Sequence, residues 1–294
     1  MKPTSEETII GSRGRRILFR AWLPENRPDP VVVIAHGYGE HGGRYAHVAA
    51  RLNEAGYAVY VPDHHGHGRS DGPRGQLSID DAIDDLTRIV DLAAGRNPNC
   101  ELFLLGHSMG GALALRCAIS QQRLLSGLIL VSPLARVDGH ARTKTLGRLL
   151  GRYAPNLPLA RINPKLVSRD PTVCRDYAED PLVYHGRIPA GVVAQFLALT
   201  ESLPGDVGEV RLPTLLQYGT ADRLVSPAGS EMIQQRIGSE DLTVTAYNGL
   251  AHELLNEPEQ QQVLDQICGW VAARTRAPTR EAPYEPAVGP TPDS

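Results

Sequence analysis

No uninterrupted apolar run in this sequence approaches the ~20 residues that a membrane-spanning helix needs. The opening stretch, MKPTSEETII, carries no apolar segment of the kind found in a secretory signal. Cysteine is scarce as well. Cys100, Cys117, Cys174 and Cys268 stand apart without C-x-x-C spacing, which speaks against a disulfide framework and against zinc. Cys117 and Cys268 fall in helical patterns, as small buried thiols do. A net charge of −3 over 294 residues leaves little to attract nucleic acid, so none is expected as a partner. Internal repeats are missing. What remains is an ordinary globular composition, 41% hydrophobic and 21% charged, enough for one large α/β domain with an insertion. The expected location is cytoplasmic.

Residues 15–23 (RRILFRAWL) alternate and favour a strand. With Thr8-Ile9-Ile10 they predict an antiparallel pair joined by a turn at 11–14. Residues 31–35 form a continuous β-branched run, typical of a strand buried on both faces. A helix with Tyr45, Val48, Ala49 and Leu52 on one face follows, ending near Gly56. Residues 57–61 make the next strand. Ser78, with Asp81 three residues on, starts a helix in a capping-box pattern, and Ile79, Leu86, Ile89 and Val90 contribute its apolar stripe. Buried strands at 102–105 and 127–131 come next. Across 134–205 the alternation of strand and helix stops. It resumes at Pro213 with TLLQYGTAD, a helix around 230–237, the strand LTVTAY and a last helix from about Pro258. Repeated β-α units imply a mostly parallel sheet with helices on both faces. The expectation is one domain, 1–275, carrying one insertion at about 134–205. Residues 276–294, rich in proline and charge without apolar periodicity, are expected to form a disordered tail.

Chemistry concentrates where strand 102–105 ends. Gly106-His107-Ser108-Met109-Gly110 leads directly into the helical pattern ALALRCAIS. Strand, G-x-S-x-G, helix is the context of a nucleophile elbow, which marks Ser108 as a nucleophile. A serine needs a base, and the base an orienting acid, in the chain order serine, acid, histidine. Beyond Ser108 the histidines are His140, His185 and His252. The first two lie in the insertion; His252 follows the last strand in a loop able to reach over the sheet edge, and is read as the base. Asp222 ends the strand LLQYG through Thr220-Ala221 and emerges at the same edge, so it is read as the acid in preference to Glu253 or Asp206. An oxyanion would be held by the backbone N–H of Met109 and by that of Tyr38, in the loop HGYGEHGG after strand 31–35. Asp63-His64-His65-Gly66-His67 crowds one short loop with no second ligand set at metal-site spacing, and is read as structural. His107 is read as packed. This chemistry requires no cofactor and no metal.

The segments HGYGEHGGRYAHVAARL, VYVPDHHGHGRSDG, LLGHSMGG, DPLVYHG, GTADRLVSP and YNGLAHELLNEP together resemble the monoacylglycerol lipase and lysophospholipase family of α/β-hydrolases. The resemblance runs from about residue 10 to 273. It implies the α/β-hydrolase fold, the triad Ser108, Asp222 and His252, and the oxyanion donors at Tyr38 and Met109. It further implies that Glu40 and Arg44 lie near the glycerol end of a substrate pocket. His65 departs from the family, many of whose members carry arginine there. The substrate implied is a monoacylglycerol, cleaved to fatty acid and glycerol. A lysophospholipase or general carboxylesterase uses the same triad, and a non-catalytic lipid receptor can retain it. Epoxide hydrolases and dehalogenases of this fold use an aspartate nucleophile where this chain has Ser108.

The insertion falls where such enzymes carry a cap. Leu146, Leu149, Leu150 and Tyr153 recur at helical spacing. Residues 134–169 hold eight basic side chains against one acid, Asp138. Two readings of that basic amphipathic segment stand together: a surface for peripheral contact with a membrane or lipid droplet, or a helix whose apolar stripe packs down onto the pocket. Val192, Val193, Phe196, Leu197 and Leu199 suggest a second helix lining an acyl channel, or ordinary core.

Overall fold

Continuous apolar strands need cover on both faces, and the chain supplies it with helices. The computed structural model describes residues 1–26, 28 and 30–275; the stretch 276–294 lies outside the described residues. β1 (Ser5–Ile10) and β2 (Arg16–Trp22) form the expected antiparallel pair, turning through Gly11 and Gly14. There follow β3 (Val31–Ala35), α1 (Ala46–Glu54), β4 (Ala58–Pro62), α2 (Ile79–Arg96), β5 (Leu102–His107), α3 (Met109–Gln121) and β6 (Gly127–Val131). Next come α4 (Ala141–Tyr153), β7 (Pro158–Ala160), α5 (Pro171–Glu179), β8 (Ile188–Pro189) and α6 (Ala190–Asp206). β9 (Thr214–Gly219), α7 (Pro227–Arg236), β10 (Leu242–Tyr247) and α8 (Gln260–Ala272) complete the described chain.

The main sheet has eight strands in the order β1-β2-β4-β3-β5-β6-β9-β10. From β4 to β10 every neighbouring pair is parallel, and β2 alone runs against its neighbours, β1 and β4. Alternate residues of β3 enter opposite cores: Val31, Val33 and Ala35 pack with α2 and α3, while Val32 and Ile34 pack with α1 and α8. That two-sided burial is why the strand has no polar position. β3 and β5 are adjacent, yet the helices that follow them lie on opposite faces of the sheet. A crevice opens beyond their carboxyl ends, the place where open α/β sheets receive ligands.

Some local expectations shift. Ser78 Oγ accepts from Asp81 N at 3.3 Å, so the cap of α2 forms. The reciprocal half of a capping box does not: Ser78 N donates to His65 Nε2, and the Asp81 carboxylate instead meets Arg13 and Arg15. α7 starts at Pro227, three residues earlier than its apolar pattern suggests, because proline suits a first helical position. α8 starts at Gln260, two residues past Pro258.

The apolar stripe of α4 does not pack down onto the pocket. Leu146, Leu149 and Tyr153 are 54%, 49% and 75% exposed. The helix turns its glycines inward instead. A Cβ on Gly151 would stand 2.3 Å from Ala194 Cβ, and one on Gly147 would stand 3.2 Å from Leu197 Cδ1. The closeness of α4 to α6 therefore uses the two residues without side chains; Leu146 and Leu149 are left outside, and Leu150 is half-buried. On α6, Val193 and Phe196 line the crevice, while Val192 and Leu199 are core.

Phe103, fully buried in β5, meets Trp270 of α8 edge-on at 5.9 Å and so ties the central strand to one helical layer. Phe103→Ala is expected to cost about 3–5 kcal/mol through lost burial and the cavity left behind, measured as a fall in the urea midpoint at unchanged slope.

Candidate active site

Ser108 is the residue at which β5 becomes α3, and its backbone has φ 54°, ψ −121°. A side-chain-bearing residue there costs about 1–3 kcal/mol and persists only where its surroundings impose it. They do. Ser108 N donates to Val131 O at 3.1 Å, and Ser108 O accepts from Gly111 N at 3.0 Å and Leu134 N at 2.8 Å. The flanking glycines make the turn sterically feasible: a Cβ on Gly106 would lie 2.3 Å from Gly110 O, and one on Gly110 would lie 2.1 Å from Ala35 O. No side chain fits at either position.

The three residues singled out from the sequence come together across 144 positions of chain. Ser108 Oγ lies 3.0 Å from His252 Nε2, and His252 Nδ1 lies 2.7 Å from Asp222 Oδ2. With Nδ1–H donating to the carboxylate, Nε2 is left to accept from the serine hydroxyl. The other Asp222 oxygen accepts from Leu224 N at 2.8 Å and Val225 N at 2.9 Å, so the carboxylate closes its own turn after β9; α7 begins after Ser226 with no side-chain cap. Burial by itself would lower the His252 pKa; the charge and hydrogen bond of Asp222, with Glu253 and Glu40 adding, outweigh it and hold the imidazole above its ordinary value. Burial would raise Asp222, but the His252 interaction and the two backbone N–H groups keep it below the usual carboxylate value.

Ser108 and His252 open on a cavity of about 300 Å³. Tyr38 and Met109 line it beside Ser108, and among the described residues no acceptor takes the backbone N–H of either. The walls are mostly apolar: Leu134, Ile162, Ile188, Val193 and Phe196 among them. One end is polar. Glu40 Oε1 gathers three donors, Gly37 N at 2.6 Å, Tyr45 Oη at 2.8 Å and His107 Nδ1 at 3.1 Å. Arg44 bridges Glu40 at 2.7 Å and grips both oxygens of Glu253 at 2.8 Å. Burial would raise the Glu40 pKa, yet the His107 hydrogen bond and the Arg44 charge drive it well below the ordinary value. Glu40 lines the cavity, whereas Arg44 stands behind it between the two carboxylates.

Glu253 and Tyr45 belong to this network, whereas the sequence suggested only a helix face for Tyr45 and an acid passed over for Glu253. Arg44 four residues after Glu40 is an ion-pair spacing that was legible there; the 209-residue reach to Glu253 was not. His107 is buried as expected, but it takes part in the polar network and lines the cavity, with Nε2 unpartnered among the described residues. His64 and His67 pack tilted against His36, whose ring lies 4.3 Å from that of His64 and 5.6 Å from that of His67. His64 N donates to His36 Nε2 at 3.0 Å, and His67 sets its ring edge against Tyr38 at 5.1 Å. Burial pushes His36 down to about 3 and His67 down to about 4, so both are neutral packing for the turn that carries Tyr38.

Asp222→Asn removes the charge that raises His252, so the imidazole is expected to deprotonate at lower pH than in the unaltered protein. NMR titration of the His252 Cε1–H signal measures the direction directly.

With this geometry in view, the relatives can be placed. A family model described as "Serine aminopeptidase, S33" matches residues 26–259. The monoacylglycerol lipase of Mycolicibacterium smegmatis is 39% identical over 272 residues, which is 92% of this chain and 97% of that one. The monoglyceride lipase of Rattus norvegicus is 34% identical over 272 residues, 90% of each chain. Among solved structures, the monoacylglycerol lipase of Paleococcus ferrophilus superposes with a TM-score of 0.80 at 31% identity, covering 88% of this chain and 99% of that one.

Proposed function

Because the chain belongs to the serine aminopeptidase family of α/β-hydrolases, we propose that it is a serine hydrolase cleaving monoacylglycerols to fatty acid and glycerol. The observation that carries this reading is the hydrogen-bonded line from Ser108 through His252 to Asp222, opening on a cavity apolar along most of its wall and polar at one end. One acyl chain suits the apolar length, and a head group of glycerol size suits the end lined by Glu40 and His107. The acids that line the cavity, Glu40 and Glu253, are both bound to Arg44. Neither is left to receive the α-ammonium group of a peptide, which favours an ester over a peptide substrate.

In the mechanism, His252 Nε2 takes the Ser108 proton as Oγ attacks the ester carbonyl. The backbone N–H groups of Tyr38 and Met109 hold the oxyanion; loss of one such donor typically costs ~10²–10³ in kcat. His252 returns its proton to the glycerol oxygen as the C–O bond breaks, leaving Ser108 acylated. Water, deprotonated by His252, then attacks the acyl carbon and releases the fatty acid. Asp222 keeps the imidazole in the required tautomer and stabilises its charged form. Glu40 and Arg44 brace the polar end and, through Gly37 N, the turn that offers the Tyr38 N–H.

Within an α/β-hydrolase domain spanning 1–275, we read residues 134–205 as a cap over the site, from which Leu134, Ile162, Ile188, Val193 and Phe196 reach the cavity wall. No helix among the described residues is long and apolar enough to cross a membrane. The exposed face of α4 offers peripheral contact instead: Leu146, Leu149 and Tyr153 stand out from it, with Arg142 and Arg152 exposed beside them. Apolar residues with flanking cations suit the interface of an anionic bilayer.

Steady-state hydrolysis of mono-, di- and triacylglycerol and of a lysophospholipid tests the activity. Monoacylglycerol is expected to lead, and Ser108→Ala is expected to lose on the order of 10⁶ in kcat. A lead for lysophospholipid would move the substrate within the same chemistry; binding of lipid without turnover in the unaltered protein would sink the enzyme reading. For the surface, Leu146→Ser with Leu149→Ser should reduce co-sedimentation with anionic vesicles while turnover of a dissolved short-chain ester is retained.

A further inference from the structure

A second hollow lies outside the catalytic cavity, a groove of about 760 Å³ between the segment leading into α5 and the loops that follow β9 and β10. Its walls are the reverse side of the catalytic ones. Leu166 and Ser168 line the groove, while Val167 between them lines the cavity. Ala221 and Arg223 face the groove on either side of Asp222, and Ala251 faces it next to His252. Side chains thus alternate between the two hollows across a partition one chain thick.

The groove is amphiphilic. Four cations line it, Lys165, Arg169, Arg175 and Arg223, and no acid does. Arg169 is engaged by Glu257 and Glu259, and Arg175 approaches Asp176 at 3.4 Å. Lys165 and Arg223 have no ion-pair partner among the described residues. Pro164, Leu166, Pro171, Ala178 and Ala251 give the remainder an apolar character. A small inorganic anion would leave those apolar surfaces wet, and a neutral lipid would leave the cations without a counter-charge. An anion with an apolar chain satisfies both.

The groove is also tied to the loop of the catalytic base on both sides of His252. Ala251 N donates to Glu257 Oε2 at 3.2 Å, and Glu257 in turn accepts from Ser168 Oγ and from Arg169 at the groove. Glu253 N donates to Val167 O at 2.8 Å. A ligand that draws Arg169 from Glu257 therefore changes what anchors Ala251, one residue from the base.

We propose that this groove is a second site, taking the carboxylate and chain of a long-chain fatty acid, and that its occupant acts on the His252 loop. The site stands on the groove itself; that its ligand is the reaction product rests on the hydrolase reading above.

The test is calorimetric titration with laurate below its micelle concentration, using Ser108→Ala protein with and without Lys165→Glu and Arg223→Glu. Two binding events are expected in the first protein. Charge reversal should weaken one of them about tenfold, as should raising the salt to roughly 0.5 M. Lys165→Ala with Arg223→Ala gives a milder pair, and near-ultraviolet circular dichroism checks that each variant is folded. Identical isotherms in all the folded proteins would overturn the site. Loss of binding to phosphatidylglycerol vesicles with an unchanged laurate titration would overturn the fatty-acid assignment in favour of a phospholipid head group. Turnover of a dissolved short-chain ester reads the coupling in protein that retains Ser108. Laurate should lower kcat there, and should do so less in the charge-reversed protein. An effect confined to KM, equal in both, would overturn the coupling. If no ester is hydrolysed, the enzyme reading fails, and the calorimetry still decides the site.

Discussion

Ser108 is held in a backbone conformation that its own side chain disfavours, and much of the molecule serves to keep it there. Its N–H is fixed by β6 and its carbonyl by the first turn of α3 and by Leu134. Gly110 passes so close to Ala35 O that β3 and α3 touch backbone to backbone. This contact sets the depth of the elbow relative to the turn that follows β3, and hence brings Tyr38 and Met109, whose N–H groups have no acceptor among the described residues, to one cavity. Packing of β3 on both faces makes the contact rigid. A strained turn on a looser sheet would relax, and the serine would lose its aim.

Two buried charge systems stand beside that turn and divide the work. In one, burial would lower the His252 pKa, and the charge and hydrogen bond of Asp222 raise it instead, favouring the charged imidazole. In the other, Glu40, Arg44 and Glu253 form a closed set with one cation between two carboxylates. Buried charges of this kind are tolerated because each is paired and hydrogen-bonded. The two systems meet in sequence at His252-Glu253, where neighbouring side chains go in different directions, one to the serine and one to the arginine. The histidine cluster of His36, His64 and His67 carries no charge and fills the space under the Tyr38 turn.

The segment between β6 and β9 uses opposite logic. Its first helix leaves Leu146 and Leu149 in the open and turns Gly147 and Gly151 to its neighbour, because closeness to α6 matters there more than apolar area. Cations are spread over the same segment, and several pair with acids on other elements, as Arg148 does with Glu201 and Arg169 with Glu257. The local excess of positive charge is therefore smaller at the surface than the sequence suggests.

Local sequence determined the elements and the three side chains that converge at the elbow. Strand periodicity, the glycines flanking Ser108 and the positions of Asp222 and His252 after strand ends each depend on near neighbours, and each was legible before any coordinates. The tertiary structure decided what depends on distant partners. It turned the α4 stripe outward, recruited Tyr45 and Glu253 to the carboxylate of Glu40, and sent the Asp81 carboxylate to Arg13 and Arg15 in place of a capping box. It also gave the loops carrying Asp222 and His252 a second, cationic face. Periodicity marks which side of a helix is apolar but not which side faces the protein, and ion pairs between residues 200 positions apart leave no pattern along the chain.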